Sequence, residues 1–183
     1  MNAKSVALFL AAAFVGCVSS ITTSVDFDRS VDFSRYRTYD WLRSGTIGND
    51  ILETRLAAAI DRELAARGLV RSESPDLYVA MHGRLSKEVQ YRAYDTGWGY
   101  GWRRSSAGPT MIRRQEVPVG TLVVDLVDAR DKELVWRGTA TSAIDTTASV
   151  EKREAAVQES VGKLFAAYPP KRQRPRTRSA EKG

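Results

Sequence analysis

One stretch limits the choice of fold more than any other. Thr121-Leu-Val-Val-Asp-Leu-Val127 puts apolar side chains at consecutive positions, so a strand built from it is apolar on both faces. Such a strand belongs at a central, covered position in a sheet. A polar turn, Asp128-Ala-Arg-Asp-Lys-Glu133, joins it to Leu134-Val-Trp-Arg-Gly-Thr-Ala-Thr141, and the two runs read as a long hairpin. After Pro75-Asp76, Leu77, Val79 and Met81 alternate with Tyr78, Ala80 and His82; this predicts another strand, with extended structure as far as Val89. Val25 and Phe27 alternate with acids as in a half-buried strand. Tyr36, Thr38 and Asp40 alternate with Arg37, Tyr39 and Trp41 in a second short extended piece.

Two segments change to helical spacing. Leu52, Leu56, Ala59, Ile60 and Leu64 share one face, behind an Asp50-x-x-Glu53 start that resembles a capping box. Glu63 and Arg67 are spaced i, i+4 on the wet side, and Gly68 supplies the left-handed residue that ends a helix. The second helix is expected over Val150–Tyr168, with Val150, Val157, Val161, Leu164 and Tyr168 on one face and Pro169-Pro170 as its stop. The order β, α, several β, α predicts an α+β fold: a single antiparallel or mixed β-sheet with two α-helices packed on one face. The sequence contains no internal repeat and no sign of a second domain.

Composition narrows the function. With 183 residues, 43% hydrophobic and 27% charged, the chain is long enough to bury about 70% of its unfolded surface and is neither collagen, coiled coil nor wholly disordered. One cysteine excludes a disulfide framework, and one cysteine with one histidine argues against a zinc site. The formal charge is +6, but Lys171, Arg172, Arg174, Arg176, Arg178 and Lys182 face only Glu181 in the last residues. The body from Cys17 to Pro170 is left neutral, without the basic folded patch a nucleic-acid-binding domain needs.

The N-terminus carries the most specific signal. Met1-Asn-Ala-Lys4 is a short positive start, and Ser5–Val15 is an uncharged, mostly apolar run of eleven residues. A membrane-spanning helix needs about 20 residues, so the run has the proportions of a cleaved secretory signal. Phe14-Val15-Gly16-Cys17 follows, and it resembles the bacterial lipobox, with Phe14 where leucine is usual. The resemblance implies a diacylglycerol thioether on Cys17, cleavage before it, and acylation of the new amine. Two or three acyl chains, at about 0.8 kcal/mol per buried CH₂, make a stable anchor. Val18, where an aspartate would retain a lipoprotein at the inner membrane, implies the outer membrane, facing the periplasm. The chain then divides into a signal peptide (1–16), a tether (17–24), a folded domain (25–168) and a disordered basic tail (169–183).

A family resemblance rests on residues of the body. Val31-Asp-Phe-Ser-Arg-Tyr-Arg-Thr-Tyr-Asp-Trp41 resembles the opening signature of bacterial lipoproteins of the domain-of-unknown-function family DUF4136. Ala58-Ala-Ile-Asp-Arg-Glu-Leu64, Pro75-Asp-Leu77, Gly120-Thr-Leu-Val-Val-Asp-Leu-Val-Asp-Ala129 and Leu134-Val-Trp-Arg-Gly-Thr-Ala140 follow in order, so the likeness runs from about Thr23 to Tyr168. It implies a lipid-anchored α+β domain with no assigned activity, and therefore supplies no catalytic residues.

Candidate contacts lie in one aromatic segment. Gly97-Trp-Gly-Tyr-Gly-Trp102 follows Tyr91 and Tyr94 and precedes Arg103-Arg104. Its glycine spacing is not the G-x-G-x-x-G of a dinucleotide site. Tyr94, Trp98, Tyr100 and Trp102 on flexible backbone suit stacking on sugar or peptide planes, or a membrane interface, where Arg103 and Arg104 would meet anionic groups. The competing reading is a hairpin tip whose aromatics fold back on the sheet. His82 is a lone histidine with no evident partner for base catalysis. Asp125, in the apolar strand, is expected to be an edge or hairpin residue paired with an arginine or with backbone, the alternative being partial burial with a perturbed pKa. The basic tail suits weak, salt-sensitive attachment to anionic envelope polymer or lipid headgroups. No nucleophile, base, metal or cofactor pattern emerges. The leading expectation is a non-enzymatic, lipid-anchored envelope module that binds a protein partner or supports envelope structure. The alternatives are an envelope enzyme acting on cell-wall or lipid material and a subunit of an envelope assembly.

Overall fold

The period-two runs pair into one mixed sheet. The computed structural model describes residues 21–42, 47–95 and 110–170, with the backbone alone at 92–95, 110 and 111. Its strands are β1 (Thr22–Phe27), β2 (Thr38–Trp41), β3 (Val70–Arg71), β4 (Leu77–Asp95), β5 (Thr110–Asp128) and β6 (Leu134–Ala143), in the order β1-β6-β5-β4-β2-β3. β1, β6, β5 and β4 are antiparallel neighbours; β2 runs parallel to both β4 and β3. β1 already includes Thr22–Ser24, so those tether residues belong to the sheet.

Helix α1 (Asp50–Ala66) starts where a side chain satisfies its first free N–H groups, but the cap differs from the expected one. Asn49 accepts the Leu52 N–H at 3.0 Å, while Asp50 and Glu53 sit in the first turn and favour its positive end. Leu56, Ala59, Ile60 and Leu64 are buried as the spacing predicts, and Gly68 closes the helix at φ 82°. Helix α2 (Val150–Phe165) is capped by Ser149 and ends before the two prolines. Val161, Leu164 and Phe165 are its buried face; Val150 is exposed, and Tyr168 returns to the core from beyond the helix end. Glu63–Arg67 is not a wet-side pair. Arg67 also donates to the Tyr168 carbonyl at 2.9 Å and to the Phe165 carbonyl, and its guanidinium lies over the Phe165 ring, tying α1 to the end of α2.

Both helices cover the same face of the sheet, which alternation assigns to Leu77, Val79 and Met81, to Leu122, Val124 and Leu126, and to Trp136, Gly138 and Ala140. Trp136 and Phe165 stack at the centre with ring centroids 5.2 Å apart. β5 is central, as its apolar run requires, but it is covered on one face only. Val123 and Val127 lie half-buried on the other face, shielded by cross-strand neighbours rather than by a second layer.

Candidate functional site

Three carboxylates organise the polar interactions of the body. Asp128, at the β5–β6 turn, uses Oδ1 to accept the N–H groups of Arg130 (2.8 Å) and Asp131 (3.1 Å). Its Oδ2 accepts the Tyr36 hydroxyl at 2.8 Å and the Arg35 guanidinium. Burial alone would raise its pKa, but the Asp131 N–H, the Tyr36 hydroxyl, the Arg130 N–H and Arg35 outweigh it and bring the carboxyl down to about 2. Burial pushes the Tyr36 hydroxyl the other way, to about 12. Asp128 is therefore a fixed anion that pins the turn to the β1–β2 connection.

Asp61 of α1 accepts two donors on one oxygen: the Tyr39 hydroxyl at 2.8 Å and Trp41 Nε1 at 2.9 Å. This fastens α1 to β2, and burial raises the Tyr39 pKa, helped by the Asp61 hydrogen bond. Asp125 lies on the sheet face away from the helices. It receives Arg137 Nε at 2.6 Å and Nη2 at 2.7 Å, a bidentate pair across β5 and β6, and the Arg137 pKa is raised by it. His82 Nε2 stands 4.0 Å from Asp125 Oδ2 on the same face. The histidine thus does have a carboxylate neighbour, one already engaged by arginine. Asp125 is buried and central, and paired to arginine as expected. Among the described residues no group of three or more His, Cys, Asp or Glu side chains could hold a metal ion.

On the outer side of the helices, Arg55, Arg62, Glu154, Val157 and Gln158 line an open groove of about 340 Å³, bridged by an Arg55–Glu154 ion pair at 3.3 Å. It is a seam between α1 and α2, and no group in it is placed for chemistry.

The most unusual geometry is an arm. β4 and β5 pair without a break from Leu77–Asp128 to Asp95–Thr110, whereas β6 accompanies β5 only as far as Val119 and β2 accompanies β4 only over Leu77–Val79. From Lys87 to Asp95 the hairpin is a two-stranded ribbon, which at 3.3 Å per residue extends about 26 Å past the body. Gly83 and Gly120 mark its base, where the side chains of Ile47 and Ile144 close onto the sheet at positions a Cβ would occupy. β4 thus runs six residues past Val89, where the alternation ended.

Of the candidate contacts, Tyr94 lies in β4 opposite Met111, known by backbone only. Trp98, Tyr100, Trp102, Arg103 and Arg104 lie outside the described residues, as do Cys17 and the basic tail 171–183. β4 and β5 are the strands that lead into and out of residues 96–109. Among the described residues no helix is long and apolar enough to cross a membrane.

The family described as a domain of unknown function, DUF4136, matches residues 23–170. A crystal structure of a PDZ domain protein from Parabacteroides distasonis is 17% identical, with a TM-score of 0.53. That match covers 83% of this chain and 36% of the other, so the chain spans about a third of its length; at this identity the likeness is one of fold. A PelC dodecamer from Paraburkholderia phytofirmans is 12% identical, with a TM-score of 0.47, over 81% of this chain and 96% of that one. No curated protein matches the chain.

Proposed function

The chain belongs to the DUF4136 family, and from that premise we propose that it is a lipid-anchored cell-envelope protein whose domain works by binding or structural support rather than by catalysis. Cys17 carries the anchor, on the outer membrane with the domain facing the periplasm. The contacts are made through the arm and the aromatic segment that joins its strands: Tyr94, Trp98, Tyr100, Trp102, Arg103 and Arg104. The basic tail adds weak attraction to anionic polymer or headgroups.

The observation that carries this reading is the arm. A two-stranded ribbon with bare edges is marginal in water by itself, and a body that needed only to be stable would gain nothing by extending one. The carboxylates support it from the other side: Asp128, Asp61 and Asp125 each hold two elements together through hydrogen bonds, a structural use of the group.

Fatty-acid labelling in the native host tests the anchor. Labelled palmitate should enter the wild-type chain and not the Cys17→Ser variant, which should accumulate as precursor; a free Cys17 thiol in the mature protein overturns the anchored reading. For the contacts, Trp98→Ala with Trp102→Ala should reduce capture of partners from native envelope while leaving the melting temperature unchanged. A large fall in melting temperature would place those rings in the core.

A further inference from the structure

The arm is amphipathic, and its apolar side is uncovered. Strand alternation places Leu85, Lys87, Val89 and Tyr91 of β4 on the face that carries the helices lower down, together with Ile112, Arg114, Glu116 and Pro118 of β5. Leu85, Val89, Tyr91 and Ile112 are 68, 39, 70 and 70% exposed. The reverse face presents Ser86, Glu88, Gln90, Arg113 and Gln115, with Val117 nearer the base. The core face of the sheet therefore continues as an apolar stripe beyond Ile47 and Ile144, where the helices no longer cover it.

The topology decides what the stripe meets. β1 enters the sheet at Thr22, opposite Thr141, which stands beside Thr121 and, across β5, Arg84. The N-terminus thus leaves the body at the end from which the arm projects. Cys17 is five residues before Thr22, and five extended residues reach no further than about 17 Å. The arm, at about 26 Å, is half as long again as that tether. If the sulfur of Cys17 sits at a bilayer surface, the tether keeps the base of the arm within about 17 Å of that surface, so an arm inclined towards it reaches it.

We propose that the Leu85–Val89–Tyr91–Ile112 face of the arm lies on the lipid surface to which the chain is anchored. The inference rests on the anchored reading above. The flanking charges suit the site: Lys87 and Arg114 share Glu116 at 3.7 and 3.8 Å, so this trio carries one excess positive charge beside Val89 for anionic headgroups. Lys and Arg side chains can lay their aliphatic stems on apolar surface while the charged ends reach water, and Tyr91 is of the aromatic type that prefers this depth. The arm then fixes the orientation of the domain, turning its helices and its Asp125–Arg137 face in set directions relative to the membrane.

A tether independent of acylation tests this. The chain from Val18, with an N-terminal hexahistidine tag, is held on vesicles of phosphatidylethanolamine, phosphatidylglycerol and a nickel-chelating lipid. It has no native thiol, so Val89→Cys, Ile112→Cys, Gln90→Cys and Gln115→Cys each place one environment-sensitive nitrobenzoxadiazole label on a chosen face, and an unchanged melting temperature verifies each fold. Labels at 89 and 112 should shift to the blue and brighten on vesicles while those at 90 and 115 do not. No shift at 89 and 112, or equal shifts at all four, overturns the proposal. A shift at 89 and 112 that grows with protein concentration without vesicles also overturns it, assigning the face to a second copy of the chain. Because the chelating lipid supplies the tether, failure here is separate from failure of Cys17 labelling.

Discussion

Tyr36 and Asp128 are 92 residues apart in the chain and meet through one hydrogen bond of 2.8 Å, hydroxyl to carboxylate, beneath the β5–β6 turn. The bond closes one end of the core. Phe33, one turn before Tyr36, packs edge-on against Phe27, Tyr36 and Tyr168, so the β1–β2 connection is held by polar and aromatic contacts together.

Asp128 should make stability pH-dependent on the acid side. Its folded pKa, about 2, lies below its ordinary value near 3.8, so the unfolded chain binds the proton more readily. The stabilisation is complete above about pH 4 and drains away as pH falls through 2; a shift of this size is on the order of 2 kcal/mol. Asp128→Asn should lower stability at pH 7 by about that amount and flatten the slope between pH 4 and pH 2. Denaturant melts across that range measure it. On the alkaline side the sign reverses: the Tyr36 pKa rises from 10 to about 12, and Tyr39 and Tyr168 are also pushed up by burial, so stability should fall as pH climbs from 10.

Gly138 is required by close approach rather than by backbone freedom. A Cβ there would stand 2.5 Å from Trp136 Cη2 and 2.7 Å from Leu164 Cδ1, both side chains of the core. Gly138→Ala should cost about 1–3 kcal/mol by overpacking, read as a drop in melting temperature. At Gly48 nothing lies within 4 Å of the added carbon, but φ is 77°, so Gly48→Ala should act through backbone strain alone.

Much of this architecture was legible in the sequence because it rests on local period. Leu56, Ala59, Ile60 and Leu64 mark α1, and the Thr121–Val127 run marks the central strand, since each pattern states its own buried face. The Asn49 cap, the Arg67 link to α2 and the Arg35–Tyr36–Asp128 cluster were not legible: they depend on partners brought together only by tertiary structure. The arm was half visible. Leu85 and Val89 fall within the extended run read from the sequence, but alternation says only that a face is apolar, not whether helices or solvent will meet it.

Asp61 should prove the main fastening between α1 and β2. Asp61→Ala leaves the Tyr39 hydroxyl and Trp41 Nε1 without their acceptor, at a cost of about 2 kcal/mol. Asp61→Asn keeps an acceptor oxygen and should recover most of that loss. Equal destabilisation by the two variants would show that the charge, not the hydrogen bonds, matters at this position.

The arm should also be distinguishable by its dynamics. Amides of Leu77–Met81 lie in a strand flanked by β5 along its length and by β2 over Leu77–Val79, with the Leu77, Val79 and Met81 side chains in the core, so they exchange only when much of the domain opens. Amides of Lys87–Tyr91 face a single partner strand, and the side chains around them are exposed on both faces. Local fraying opens them without disturbing Trp136 or Phe165, so they should exchange far faster in solution, and serine at Leu85, Val89, Tyr91 and Ile112 should leave the melting temperature near wild type. Hydrogen–deuterium exchange by mass spectrometry resolves the two segments. Equal protection in both would mean that the ribbon is stabilised as part of the body, and the argument that it extends for a partner's sake would lose its physical basis.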